Sequence, residues 1–373
     1  MGGYNTSDST DSLRYKGCMV DRRRFIRGAG AATAVAASAP YLRSQEPASS
    51  PIRIGQFGTK HAHASGKMAA MRKFPKHFEV VGVVEPDDAQ WERVKDRYAG
   101  VPRLTEEQLL NVDGLKAVDV ETAVRNLVPT GIRCVEAGMH IHLDKPGGSS
   151  MADCRKLHAV AQAKKRTVQM GYMLRYNPAF QLCYRAVREG WLGDLFELHA
   201  VMSKTSGESA RREMAEFSGG AMFELGCHLI DSVVYVLGTP DKVTPYLRKT
   251  KEGDDLADNT MAVLEYPKAT ATIRSALVEF DGFKRRQFVV CGTEGTVDIK
   301  PLESPVMQLG LASAKSEYKR GYQTVELPES TGRYDAEFID LAKIIREEKE
   351  PDFSHAHDLA VHEVILRASG MPV

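Results

Sequence analysis

Ile52-Arg53-Ile54-Gly55-Gln56-Phe57-Gly58-Thr59-Lys60-His61-Ala62-His63 is the stretch that decides the fold. Its first six residues read as a short apolar strand, and Gly58 ends that strand at a tight turn into a helical pattern. In a dinucleotide-binding unit such a turn brings backbone N–H groups to a pyrophosphate at a helix N-terminus. Only Gly58 fits the G-x-G-x-x-G spacing, because Lys60 occupies the second glycine position and His63 the third. A lysine at that place supplies a cation near the pyrophosphate, replacing part of the lost backbone approach. Gly58, Thr59, Lys60 and His61 are therefore the expected cofactor loop.

Working outward, the pattern repeats. Strands are expected at 52–57, 80–85, 117–122, 140–144 and 167–171, with helical stretches at 62–74, 87–99, 129–138 and 151–164. Strands separated by helices indicate βαβ units and a parallel sheet covered on both faces. Glu85 ends the second strand, where an acid accepts hydrogen bonds from the adenosine ribose hydroxyls. The other reading of Glu85 is an exposed acid opening a helix with Pro86-Asp87-Asp88. An acid in the ribose position also repels a 2′-phosphate, which favours NAD over NADP.

Two further segments carry chemistry. The strand at 140–144 ends in Asp144-Lys145-Pro146-Gly147-Gly148, and a lysine at the carboxyl end of a parallel strand faces the ligand crevice; a plain surface turn is the alternative. Gly219-Gly220-Ala221-Met222-Phe223-Glu224-Leu225-Gly226-Cys227-His228 opens a helix expected to run from Gly220 to Leu237. Glu224, His228 and Asp231 then share one helical face, and a carboxylate that orients an imidazole makes a proton acceptor.

These residues together resemble the glucose–fructose oxidoreductase / inositol dehydrogenase / rhizopine catabolism (Gfo/Idh/MocA) oxidoreductases. Asp144-Lys145-Pro146 is similar to the family's Glu-Lys-Pro turn. Gly219 through His228 is similar to its G-G-G-x-L-x-D-x-G-x-H segment, with Glu224 in the aspartate position. Gly171-Tyr172-Met173-Leu174-Arg175-Tyr176-Asn177-Pro178 resembles the start of the second domain, and Gly292-Thr293-Glu294-Gly295-Thr296 a late hairpin. The resemblance implies hydride transfer between a sugar-like carbinol and the nicotinamide ring. His228 would take the hydroxyl proton, Lys145 would bond the reacting oxygen and line the cofactor, and Glu224 would hold the imidazole or the substrate. Arg175 and Tyr176 are, with His228, the expected substrate contacts. The third strand runs into Glu121-Thr122-Ala123-Val124-Arg125-Asn126 without the family's usual proline, asparagine and histidine loop, so contacts from that loop do not carry over.

The expected fold is thus an α/β Rossmann dinucleotide-binding domain (51–170) followed by an α+β domain with an open antiparallel sheet (171–373). In the second part a helix follows Pro178, a strand lies at 195–202 and a polar loop at 203–218. Strands follow at 261–266, 270–279, 287–292 and 296–300, and a helix at 333–348 closes the chain. An antiparallel sheet with one bare face exposes too much apolar surface for a monomer, and relatives commonly cover it by forming dimers or tetramers.

The N-terminus points to export. Arg22-Arg23-Arg24-Phe25-Ile26-Arg27 precedes a Gly- and Ala-rich stretch ending Ala37-Ser38-Ala39, the order of a twin-arginine leader. Residues 1–39 are that expected leader and 40–50 a linker, with a periplasmic destination for the remainder. Since this route exports folded proteins, it implies a cofactor loaded beforehand. The chain holds 50 Lys and Arg against 49 Asp and Glu, with no basic stripe for nucleic acid and no charged block for a membrane surface. Its cysteines lack C-x-x-C spacing and indicate no disulfide scaffold. The pairs His61/His63, His140/His142 and His355/His357 raise a metal-dependent hydrolase as a rival, but no third-ligand pattern accompanies them and no metal is expected. A redox-neutral glycosidase or lyase working through a transient keto-sugar keeps the fold and changes the net reaction. A non-catalytic binding protein is the remaining alternative.

Overall fold

Ile52–Phe57 (β1) lies at the centre of a six-stranded parallel sheet with β2 (Phe78–Val84), β3 (Arg103–Leu104), β4 (Leu115–Val120), β5 (His140–Leu143) and β6 (Val168–Met170). The computed structural model describes residues 50–373; the expected leader and all but the last residue of the linker lie outside the described residues. The strand order is β3-β2-β1-β4-β5-β6. The order reverses between β1 and β4, so the crevice at their carboxyl ends is where such sheets take ligands.

Helices α1 (Ala64–Lys73), α2 (Asp88–Val94), α3 (Glu106–Leu110), α4 (Val124–Glu136) and α5 (Met151–Lys164) connect these strands. Successive strand residues feed opposite faces. Ile52, Ile54 and Ala117 pack with Met68 and Met71 of α1, whereas Val118 and Val120 pack with Leu127 and Val128 of α4. The helix expected from 129 starts earlier, at Val124, and Pro129 lies inside it. Burial of Leu127, Val128, Ile132 and Val135 along one face outweighs the proline's missing donor. The short α3, which the apolar pattern does not signal, is closed by a capping box between Thr105 and Gln108.

The remainder contains α6 (Pro178–Arg188), β7 (Leu195–Val201), α7 (Glu208–Met214) and α8 (Cys227–Leu237). Then come β8 (Lys242–Arg248), β9 (Asn259–Glu265), β10 (Thr270–Ala276), β11 (Gln287–Gly292), β12 (Gly295–Ile299), β13 (Val306–Leu311), β14 (Gly321–Glu326), α9 (Asp335–Ile345) and α10 (His355–Ala368). The eight strands form one sheet in the order β14-β13-β12-β11-β7-β10-β9-β8. Its pairs are antiparallel except β7 with β10, so the sheet is mostly, not wholly, antiparallel. Ala271, Ile273 and Ser275 of β10 face the core, while Thr270 and Arg274 face outward. Helix α9 returns to the first sheet, where Phe338, Leu341 and Ala342 join Ile52, Ile54 and Met68. The two parts therefore share a core instead of meeting at a linker.

Candidate active site

Gly58 has φ of +90°, and a Cβ there would sit 2.8 Å from the Thr122 backbone nitrogen. Only glycine takes this turn without strain. The turn is stitched to both neighbouring strand ends: Gly58 N–H donates to Val84 O at 2.7 Å and His61 N–H to Glu121 O at 3.0 Å. Glu85 is buried beneath it. Its Oε2 accepts from the Thr59 N–H at 3.0 Å and the Thr59 hydroxyl at 2.7 Å, and its Oε1 from the Asp87 N–H at 3.0 Å. A carboxylate offers about four acceptor positions, so one remains for a ribose hydroxyl. Gly58, Lys60 and Glu85 line a cleft of about 740 Å³ with Asp87, Arg103 and Thr122. The cleft, the glycine that only a bare backbone satisfies and the inward acid fit a dinucleotide.

Asp144 ends β5 and is fully buried. Its Oδ2 meets His61 Nδ1 at 2.7 Å, His63 Nδ1 at 3.0 Å and Lys67 Nζ at 3.0 Å, while its Oδ1 accepts the Lys145 N–H at 2.6 Å. Lys67 also donates to Glu121 Oε1 at 2.8 Å. Burial alone would raise Asp144, but the adjoining His61, Lys67 and His63 hold its carboxyl well below the usual range. Burial and the Asp144 charge push Glu121 well up. Lys67 stays charged, because these carboxylates raise it against its desolvation.

Lys145 follows Asp144 and reaches across to the second part of the chain. Its Nζ donates to Glu224 Oε1 at 2.7 Å and to the Glu224 carbonyl at 3.0 Å. Burial opposes the ammonium, yet the Glu224 charge holds Lys145 above its ordinary value; reciprocally, Lys145 offsets the burial of Glu224 and lowers it. His228 stands close by, with its ring 6.5 Å from that of His63 and edge-on to Tyr172 at 6.1 Å. Burial, then Lys145 and His63, drive His228 well below the ordinary histidine value, and burial lowers His63 to about 4. Both imidazoles are neutral at neutral pH. His228 Nδ1 is buried without a hydrogen-bond partner among the described residues.

Three expectations are corrected by this geometry. Glu224 does not orient His228. Residues Met222–Gly226 form a widened π turn, and Glu224 goes to the Lys145 ammonium, a stronger partner than a neutral imidazole. Arg175 is not poised for substrate: its guanidinium is buried between Asp231 and Asp358, at 2.6 Å from each, and lies over the Phe353 ring at 4.0 Å. This pairing also removes Asp231 from the Glu224–His228 face. Tyr176 points toward α9, its hydroxyl accepting from Gln169 at 2.9 Å and standing 3.4 Å from Asp340. The 3₁₀ turn Met173–Tyr176 carries both residues away from Lys145.

The histidine pairs are divided among separate places. His61 and His63 stay with Asp144, His142 pairs with Asp119 at 3.0 Å, and His355 meets His158. His61, His63 and Asp144 offer three ligand atoms within 4.8 Å of one another, as do Asp119, Glu121 and His142. Lys67 lies between Asp144 and Glu121 of these two groups and already supplies the positive charge that their carboxylates need. Lys67, Glu121 and the depth of Asp144 went unread in the sequence. The one available signal was spacing, since Lys67 lies one helical turn after His63.

Comparison with known proteins agrees with the fold. A model described as "Oxidoreductase family, NAD-binding Rossmann fold" matches residues 52–172, and one described as "GFO/IDH/MocA C-terminal domain" matches residues 180–298. The uncharacterized oxidoreductase YdgJ of Escherichia coli strain K12 is 23% identical over 301 residues, covering 80% of this chain and 82% of the relative. D-xylose 1-dehydrogenase (NADP(+)) 2 of Haloferax volcanii is 27% identical over 241 residues, covering 60% and 68% respectively. A levoglucosan dehydrogenase solved in complex with NADH and levoglucosan superposes with a TM-score of 0.73 at 18% identity, covering 86% of this chain and 97% of that one.

Proposed function

The chain belongs to the Gfo/Idh/MocA oxidoreductase family, and from that premise we propose that it moves hydride between NAD and a carbinol of a sugar or polyol. The observation that carries this reading is the convergence of a charged lysine, Lys145, and a neutral, desolvated histidine, His228, beside the cofactor loop. Relatives named for xylose and levoglucosan dehydrogenation support the carbohydrate class.

The dinucleotide would be held by Gly58, Thr59, Lys60 and His61 at the loop, by Glu85 at the ribose and by Lys145 at the reacting end; it supplies the hydride acceptor. His228, neutral and short of one hydrogen bond, takes the proton of the reacting hydroxyl. Lys145, kept charged by Glu224, donates to the same oxygen and stabilises the negative charge that develops there. Glu224 acts by holding Lys145. When the direction reverses, Lys145 polarises the carbonyl and His228 returns the proton.

A pH profile follows. An ordinary histidine titrates near 6.5, and His228 lies well below that. The base therefore remains neutral as pH falls through 6.5, and the acid limb of kcat should lie clearly lower. An acid limb at 6.5 or above would contradict His228 as the base. The same shifts imply that stability declines as pH falls below about 6.5, where the unfolded chain gains protons that native His228 and His63 refuse.

NAD is the proposed form because Glu85 stands where a 2′-phosphate would be repelled. Glu85→Ala should weaken retention of NAD and relax discrimination against NADP, measured as dinucleotide bound after purification. Unchanged retention and selectivity would remove Glu85 from the cofactor site. We also propose that residues 1–39 export the folded protein with its cofactor bound, leaving a periplasmic protein. Export that persists without the twin-arginine route would overturn this. The outward face of the eight-stranded sheet, where Met261, Val263 and Val289 are half-buried, is the proposed surface of a homodimer or homotetramer. Sedimentation as a monomer at micromolar concentration would contradict it.

A further inference from the structure

Beside the reacting centre the wall of the site carries more positive than negative charge. Val201 ends β7, and the chain continues as Met202-Ser203-Lys204, held by Lys204 N–H donating to Ala276 O at 2.9 Å. Arg286, almost fully buried, donates from Nε to Ser203 O at 3.2 Å and lies over the Phe283 ring at 3.7 Å. Its nearest carboxylate is Glu303, at a long 3.7 Å, and Glu303 is already gripped by both guanidinium arms of Arg333 at 2.6 and 2.8 Å. Tyr334, the next residue, has its ring 5.7 Å from that of His63, so this segment borders the same site.

Around the reacting centre Lys145 pairs with Glu224, Arg286 and Arg333 share Glu303, and Asp144 is held by His61, His63 and Lys67, so all three carboxylates are engaged. The next acid along, Glu279, is taken up by Arg285. The half-buried Lys204 ammonium has no ion pair or hydrogen-bond partner among the described residues. Burial and the Lys145 charge, with Arg286 and Arg333 behind it, lower it from the ordinary lysine value, and Glu224, already paired with Lys145, offsets this only in part. A lone lysine reaching solvent needs no explanation, but a half-buried one on which three other cations act, with its one nearby carboxylate already paired to Lys145, does. Desolvated surplus charge is unfavourable unless an occupant brings the opposite sign.

Accepting Lys145 and His228 as the reacting centre, we infer that the substrate is an anionic carbohydrate whose negative substituent is received by Lys204, with Arg286 behind it. A carboxylate, a sulfate ester and a phosphate ester share this chemistry. The choice among them falls to the experiment.

The test uses the protein as purified with its bound dinucleotide. Calorimetry measures binding of D-glucose, D-glucuronate, glucose 6-sulfate and glucose 6-phosphate, and turnover is followed in parallel. At least one anionic sugar should bind about tenfold or more tightly than glucose, as expected for a charge-assisted contact, and the advantage should shrink with added salt. In Lys204→Met, which keeps side-chain length, the ratio of anionic to neutral affinity should collapse by a similar factor. Equal binding of glucose and all three anions, no binding of any anion, or an unchanged ratio in Lys204→Met would each overturn the inference. Tight anion binding without hydride transfer would keep it and would instead remove the redox reading on which the reaction is proposed.

Discussion

Lys145→Met is expected to lower turnover by about 10²–10⁴-fold, the usual scale for a lost proton-transfer or oxyanion-stabilising group, while the dinucleotide stays bound. Lys145 makes no contact with the Gly58 turn or with Glu85; its ammonium is committed to Glu224 across the crevice. Methionine preserves most of the stem and removes only the charge. Glu224 then loses the group that offsets its burial, so part of the effect comes from a carboxylate left unpaired. Glu224→Gln separates the two: a loss well short of that in Lys145→Met is expected if Glu224 only positions the lysine. His228→Ala should show a comparable fall with normal cofactor content. Full turnover in His228→Ala at normal content would remove His228 from proton transfer. Measuring bound dinucleotide beside kcat in every variant distinguishes lost chemistry from lost cofactor.

The second large effect is expected on stability. Lys67→Met should cost about 3–5 kcal/mol, the range seen when one member of a buried ion pair is removed and its partners are left uncompensated. Lys67 has no exposed surface, and its ammonium binds Asp144 and Glu121 together, with Asp119 and Glu337 also acting on it. Neutralising Asp144 as well, in Lys67→Met/Asp144→Asn, should recover part of the loss, since one stranded charge is then gone. Urea unfolding of wild type, single and double variants measures both terms. A single-variant cost below about 1 kcal/mol would mean that Lys67 does not hold Asp144 ionised in the folded protein. The same network explains how His63 can be packed beside the cofactor loop as a neutral group: Asp144 accepts a hydrogen bond from it, and Lys67 keeps Asp144 ionised.

Much of this was legible in the chain and some was not, for physical reasons. The run Ile52–Phe57 and its neighbours could be read as buried parallel strands because continuous apolar stretches bounded by turn residues have few other uses. The positions of Gly58, Glu85 and Lys145 could be read because each follows a strand at the crevice end of the sheet. The helix 220–237 misled. Counting i, i+4 presumes an α-helix, and the π turn at Met222–Gly226 together with a competing ammonium sent Glu224 elsewhere. Arg175 misled in another way, since a lone arginine in sequence does not reveal that Asp358, far along the chain, closes it into a buried triad. The strands β8, β13 and β14 carry Pro245, Gly310 and Gly321, residues that argue against a strand in sequence. They are held by pairing with neighbours. Residues such as Lys67 and Lys204 are ordinary surface types until the fold buries them.

The reaction class is tested most directly by following the nicotinamide absorbance of the purified protein, loaded with one equivalent of NAD, while carbohydrates are added under single-turnover conditions. Stoichiometric reduction of bound NAD by at least one sugar, abolished in Lys145→Met and His228→Ala at equal dinucleotide content, is the expected result. A protein that retains NAD yet shows no change in its redox state with any neutral or anionic sugar, or that reduces it equally well without Lys145 and His228, would contradict hydride transfer at this site.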